Sequence, residues 1–191
     1  MTALTGEDRS ALAMANARHV VAQRREMGIA ETLLQLAQVA HRSHNANEIA
    51  RAIVGEVARL PGIRHAAIGF WQAGEGQTVL KGLFADSRAV EERLRDLDTP
   101  RQSGFLEMLF AAKAPCVLKA ERRGAALNRV VAQSGAHELL VAPLICGEQT
   151  IGALLIFGEP DYHFDACDHR LAGGVAREIA AATEKARLMW A

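Results

Sequence analysis

Before Pro61 the apolar residues recur at helical spacing, and after it they gather into short continuous runs. From Glu7 to Met27 they are sparse: Leu12, Met14, Val20, Val21 and Met27, with alanine filling much of the rest. That predicts a helix without a broad apolar face, exposed or packed on a partner. The pattern thickens over Ile29–Ala40, where Ile29, Leu33, Leu36, Val39 and Ala40 stand three and four apart. Turn formers at Ser43–Asn45 end that helix. Asn47 is read as the N-cap of another, with Ile49, Ile53, Val54 and Val57 on one face, closed by Pro61-Gly62.

Beyond Pro61, His65–Ala73 and Thr78–Phe84 are short apolar segments around Gly74-Glu75-Gly76, a predicted hairpin. Arg88–Asp98 is charged and predicted helical. Gly104–Ala112 is a short amphipathic helix stopped by Pro115, Cys116–Lys119 a strand, and Ala125–Gln133 a second short helix. Glu138–Ile145 and Thr150–Phe157 are strongly apolar strands joined by Cys146-Gly147-Glu148-Gln149. Asp165 caps a final long helix, with Asp168 completing an imperfect capping box, and Leu171, Val175, Ile179, Ala182 and Ala186 form its apolar face. Strands flanked by helices at both ends predict an α+β layer, an antiparallel sheet with helices packed against it.

Composition narrows the function. The 191 residues include 22 Lys plus Arg and 22 Asp plus Glu, a net charge of zero. That excludes a nucleic-acid binder working by bulk charge and a polybasic membrane-surface protein. Half the residues are hydrophobic, 5% are aromatic and 36 are alanine, so the core is aliphatic and helix-rich. Cys116, Cys146 and Cys167 are an odd number without a C-x-x-C pair, which fits free thiols in a reducing compartment. With no signal pattern in MTALTGEDRS and no apolar run near 20 residues, the expectation is a cytoplasmic protein without nucleic-acid or membrane partners.

Leu139–Phe157, LLVAPLICGEQTIGALLIF, is an apolar strand containing a proline, a polar-glycine turn and a strand of the Ile-Gly-Ala-Leu type. With Gly104-Phe105 before a short helix and Pro115, and Phe164-Asp165 before an alanine-rich helix, it resembles the GAF domain family. The resemblance covers roughly residues 29–188. It implies a GAF-like antiparallel sheet with helices on its faces over residues 29–191, and it leaves 1–28 as an N-terminal helical extension. It also implies a pocket between the sheet and the connecting helices, here lined by Phe70, Phe84, Phe105, Leu109, Cys116, Arg129 and His137. Arg129 and His137 flank the apolar strand and suit a ligand carboxylate, nitrate or phosphate. The fold does not name the ligand, and no cofactor is assigned.

Other members of the family set the alternatives. Nitric-oxide-responsive activators of this family pair a histidine placed like His137 with a nearby cysteine to hold iron, but here Glu138, Leu139 and Leu140 follow. Asp161, His163, Asp165, Cys167 and His169 are metal-ligand types at no strong zinc spacing, and they read as a loop and a helix cap. Bilin-attaching members use a cysteine usually next to a histidine, and cyclic-nucleotide members an Asn-Lys stretch before the aromatic at Phe164. Both are missing. Free methionine-R-sulfoxide reductases use cysteines in loop motifs that this chain lacks. The sequence-based expectation is therefore a non-catalytic, ligand-sensing regulatory protein without a metal. It would signal through a helical homodimer seam (Leu12, Val20, Leu33, Leu36, Val175, Ile179 and Leu188) to a separate signalling protein. The alternatives are a docking module with a filled core and the thiol reductase.

Overall fold

The structure, a computed structural model, describes residues 27–28, 31–32, 34–35, 38, 46–72, 77–95, 112–119 and 131–189. Three helices, α1 (Ala46–Val57), α2 (Arg88–Arg95) and α3 (Ala166–Met189), accompany five strands. The strands are β1 (Ile63–Gln72), β2 (Gln77–Phe84), β3 (Cys116–Lys119), β4 (Glu138–Cys146) and β5 (Gln149–Gly158). They form one antiparallel sheet in the order β2-β1-β5-β4-β3. Residues 27–28, 31–32, 34–35 and 38 are helical, as are 131–134. The predicted strands and the α+β arrangement match. The short helices predicted over 104–112 and 125–133 fall largely outside the described residues.

Alternation along the strands gives the sheet two buried faces. On the first, Ala66 and Ile68 of β1, Leu154 and Ile156 of β5, and Leu140, Ala142 and Leu144 of β4 meet α1 and α3. The helices contribute Ile49, Ile53, Val54 and Val57 from α1, and Leu171, Val175, Ala176 and Ile179 from α3. The α1 positions are those the helical spacing singled out. The same burial corrects the expected dimer seam. Val175 and Ile179 are 0% exposed against their own sheet, so they cannot face a partner. Leu12, Val20, Leu33 and Leu36 lie outside the described residues, as does the side chain of Leu188. On the second face, Val90 and Leu94 of α2 and Val131 and Ala136 pack over Leu118, Leu139 and Phe157.

Local chemistry sets the boundaries. Helix α1 begins at Ala46, so Asn47 stands inside its first turn rather than at the cap. The Asp165/Asp168 capping box closes reciprocally: the Asp168 amide donates to Asp165 Oδ1 at 3.1 Å, and the Asp165 amide donates to Asp168 Oδ2 at 2.9 Å. The β4–β5 hairpin turns on Gly147 and Glu148, with φ +59° at the glycine only, the requirement of a type II′ turn. Pro143 lies past Val141, where β3 pairing stops, so this side of β4 has no partner strand among the described residues. An unpaired strand edge is where a proline, with no N–H to donate, is tolerated.

Candidate functional site

The second face tapers. Its first row across the sheet holds Leu118, Leu139, Phe157 and His65, the next Cys116, Val141, Leu155 and Ala67, and the third Pro143, Ala153 and Gly69. Side-chain bulk falls from row to row. The bulky end is covered by α2 and the 131–136 turn. The chain leaves α2 after Arg95 and returns at β3, then leaves β3 after Lys119 and returns at Val131. The first connection leaves from α2 on this face and comes back with Pro115 against Gly173 of α3, on the opposite side of the sheet.

His65 anchors the bulky end and is fully buried. Its Nδ1 accepts the Asp86 amide N–H at 3.2 Å, which leaves the proton on Nε2 to donate to the Ser134 carbonyl at 2.9 Å. One imidazole thus ties β1 to the start of α2 and to the 134 turn. Burial lowers its pKa, against the raising influence of the Ser134 bond and Asp86. Arg64 Nε holds Asp86 Oδ2 at 2.8 Å. Burial pushes the Asp86 carboxyl up, but Arg64 and His65 outweigh it and the net shift is downward.

A buried carboxylate, Glu138, 4% exposed, opens β4. Lys119 Nζ stands 2.6 Å from its Oε1, His163 Nδ1 lies 3.0 Å away, and the Phe164 amide donates to Oε2 at 3.3 Å. Burial raises this carboxyl and these partners overcome it, so its pKa is lowered. Sequence reasoning missed both residues. For His65 a signal existed, because period-two alternation puts it on the same face as Ala67. For Glu138 none did, since its partners come from a strand end and a loop distant in sequence.

Of the seven expected site residues, three that the structure describes, Phe70, Phe84 and Cys116, do not share one face. Phe70 packs on the α1/α3 face. Phe84, 41% exposed, pairs with Ala66 and shares that face. Cys116 packs on the opposite, tapering face. A single pocket cannot take Phe70 and Phe84 together with Cys116. Alternation along a strand separates its two faces without saying which one a helix pair will cover. His137 is exposed at the entry to β4, and Phe105, Leu109 and Arg129 lie outside the described residues. Among the described residues no group of three His, Cys, Asp or Glu is arranged to hold a metal, and no helix is long and apolar enough to cross a membrane. Asp165 caps α3, and His163 bonds to Glu138. A cavity of about 610 Å³ opens on the α1/α3 face, between the helical residues Gly28, Glu31, Thr32 and Gln35 and the corner where β1 meets α3.

A five-stranded antiparallel sheet with paired helices on one face and a tapering second face defines an α+β domain. The chain belongs to the GAF domain family, whose model matches residues 45–183, more than half of its length. Among solved structures it is similar to the GAF domain of a phosphoenolpyruvate-protein phosphotransferase from Coxiella burnetii, with a TM-score of 0.68 at 17% identity, covering 86% of this chain and 98% of that one. It is also similar to a free methionine-R-sulfoxide reductase from Neisseria meningitidis in complex with its substrate (TM-score 0.66, 15% identity, 84% and 91% covered). A third likeness is to the GAF domain of a putative sensor histidine kinase from Pseudomonas syringae pv. tomato (TM-score 0.65, 15% identity, 91% and 96% covered). No curated protein matches the chain.

Proposed function

We propose that this chain is a cytoplasmic ligand-sensing regulatory module, in which a small molecule rests on the tapering face and the response passes through the helices to a partner protein. The taper supports the reading: the floor of Pro143, Ala153 and Gly69 carries smaller side chains than the rows beside it. Cys116 stands on the adjoining row and His137 at the exposed entry to β4, and we assign Phe105, Leu109 and Arg129, from the connections on either side of β3, to the same pocket. Arg129 would meet a carboxylate, nitrate or phosphate on the ligand, whereas His137, six residues before Pro143, stands about 20 Å away beyond the bulky end. Met27 and Leu34, seven apart and each 61% exposed, offer a helical stripe for a homodimer in place of the seam through Val175 and Ile179.

The cysteines argue against thiol catalysis. Cys116 pairs with Val141, five residues before Cys146 along β4, or about 17 Å at strand rise. Cys167 lies on α3, near the opposite end of the sheet from the Cys146 turn. A disulfide needs Cα atoms within roughly 7 Å, so Cys146 pairs with neither of the other two as attacking and resolving thiols.

A thermal-shift screen against small anions, amino acids and purines tests the reading. A ligand of the native state at a hundredfold its Kd adds about 2.7 kcal/mol. That gain is expected to vanish in Ala153→Leu, which fills the floor. If no compound in these classes stabilises the protein, the docking module with a filled core replaces the sensor. Methionine-sulfoxide turnover abolished by Cys116→Ser would establish the reductase instead.

A further inference from the structure

We infer a second ligand site on the opposite face of the sheet: the cavity of about 610 Å³ beside α3 takes an apolar organic cation, an aryl- or alkylammonium. Its volume falls in the range of small-molecule sites, roughly 300–1,000 Å³. The inner wall is apolar, built by Leu60, Ile63, Leu140, Ile156 and Leu171. Tyr162 and Phe164 add two aromatic rings, edge to face with centroids 5.4 Å apart. The Tyr162 hydroxyl donates to Asp168 at 3.0 and 3.1 Å, which fixes the ring beside the carboxylate.

The sign of the charge follows from the polar lining. Asp168 lines the body side and Glu31 the helical side, and among the described residues no lysine or arginine lines the cavity. Asp168 is only 8% exposed, so little water screens it. An ammonium group would find a carboxylate on each wall and aromatic faces to rest on. An anion of the same shape would meet two like charges. The walls come from separate parts of the chain: Gly28, Glu31, Thr32 and Gln35 on one side, the β1/α3 corner on the other. A molecule touching both favours the arrangement that holds the helical segment against the sheet. This site uses none of the residues of the tapering face and does not depend on the function proposed for that face.

Tryptamine and indole-3-propionate serve as probes, being similar in ring and reach but opposite in charge. With the full chain, tryptamine at millimolar concentration is expected to raise the melting temperature and to titrate by calorimetry, while indole-3-propionate does neither. Glu31→Gln, a change at an exposed position, should weaken tryptamine roughly two- to fivefold. Gln35→Trp, also at an exposed lining position, should abolish binding and leave the unliganded melting temperature unchanged. Equal effects of the two probes would overturn the proposal, as would tryptamine binding that survives Gln35→Trp, or no binding in this concentration range. If tryptamine does not bind and Gln35→Trp converts a dimer into a monomer, the proposal also fails and the cavity belongs to a second copy of the chain.

Discussion

His65 is held neutral by what surrounds it. Its Nδ1 is committed to an incoming backbone N–H, so a second proton would have to displace the Asp86 amide inside a dry core. The folded-state pKa therefore lies below the ordinary 6.5. The unfolded chain binds the extra proton more readily, so stability from this residue is full above pH 6.5 and is lost as pH falls toward the folded value. Urea melts from pH 8 down to pH 5 are expected to show that decline, and His65→Gln to flatten it. His65→Ala, which leaves the Ser134 carbonyl and the Asp86 amide unpaired, should cost about 2–4 kcal/mol at neutral pH in the same melts. Glu138 acts in a lower window. Its pKa is depressed from 4.5, so its contribution is present above that value and disappears as pH falls through the folded one. Neither role was legible in the sequence. A histidine in an apolar strand and a glutamate at a strand start acquire partners only when β1, the 134 turn, β3 and the 163 loop are brought together.

The elements themselves were legible because most of them bury one face each. The apolar stripe of α1, the β4–β5 hairpin and the capped start of α3 can be read from spacing and turn chemistry, and each stands where predicted to within a few residues. Which sheet face a strand residue occupies was not legible for Phe70 and Phe84, since that depends on the helix pair crossing one face rather than the other. Helix α1 lies so close on β2 that a Cβ added at Gly82 would stand 2.7 Å from the Ala50 carbonyl oxygen. Gly82→Ala should therefore push the helix outward and cost about 1–3 kcal/mol in denaturant melts. Within α1 itself, Gly55 has nothing within 4 Å of an added Cβ. Gly55→Ala should instead stabilise by about 0.5–1 kcal/mol through helix propensity. If both changes destabilise alike, the close approach of α1 to β2 is not what the glycine at 82 accommodates.

At the scale of the whole molecule, the two faces differ. One packs under α1 and α3 as an aliphatic core with a cavity at its edge, and the other narrows to a floor of small residues. The exposed pair Met27 and Leu34 then sets an expectation for assembly. Sedimentation at micromolar concentration should give a dimer, and Leu34→Glu, which puts charge in the middle of the stripe, should shift it to monomer while the melting temperature of the domain stays near wild type. A wild-type monomer under those conditions removes the seam.

Pro143 has a consequence beyond being tolerated. From that position to the hairpin turn, β4 has no neighbour on its β3 side among the described residues, in a strand whose interior from Leu139 to Ile145 is otherwise leucine, valine, isoleucine and alanine. Such a strand is a template on which another molecule could extend the sheet. An amide-lacking residue within that unpaired stretch interrupts the ladder a newcomer would need. The same residue that helps form the floor of the tapering face thereby also withholds one of the hydrogen bonds such an added strand would need.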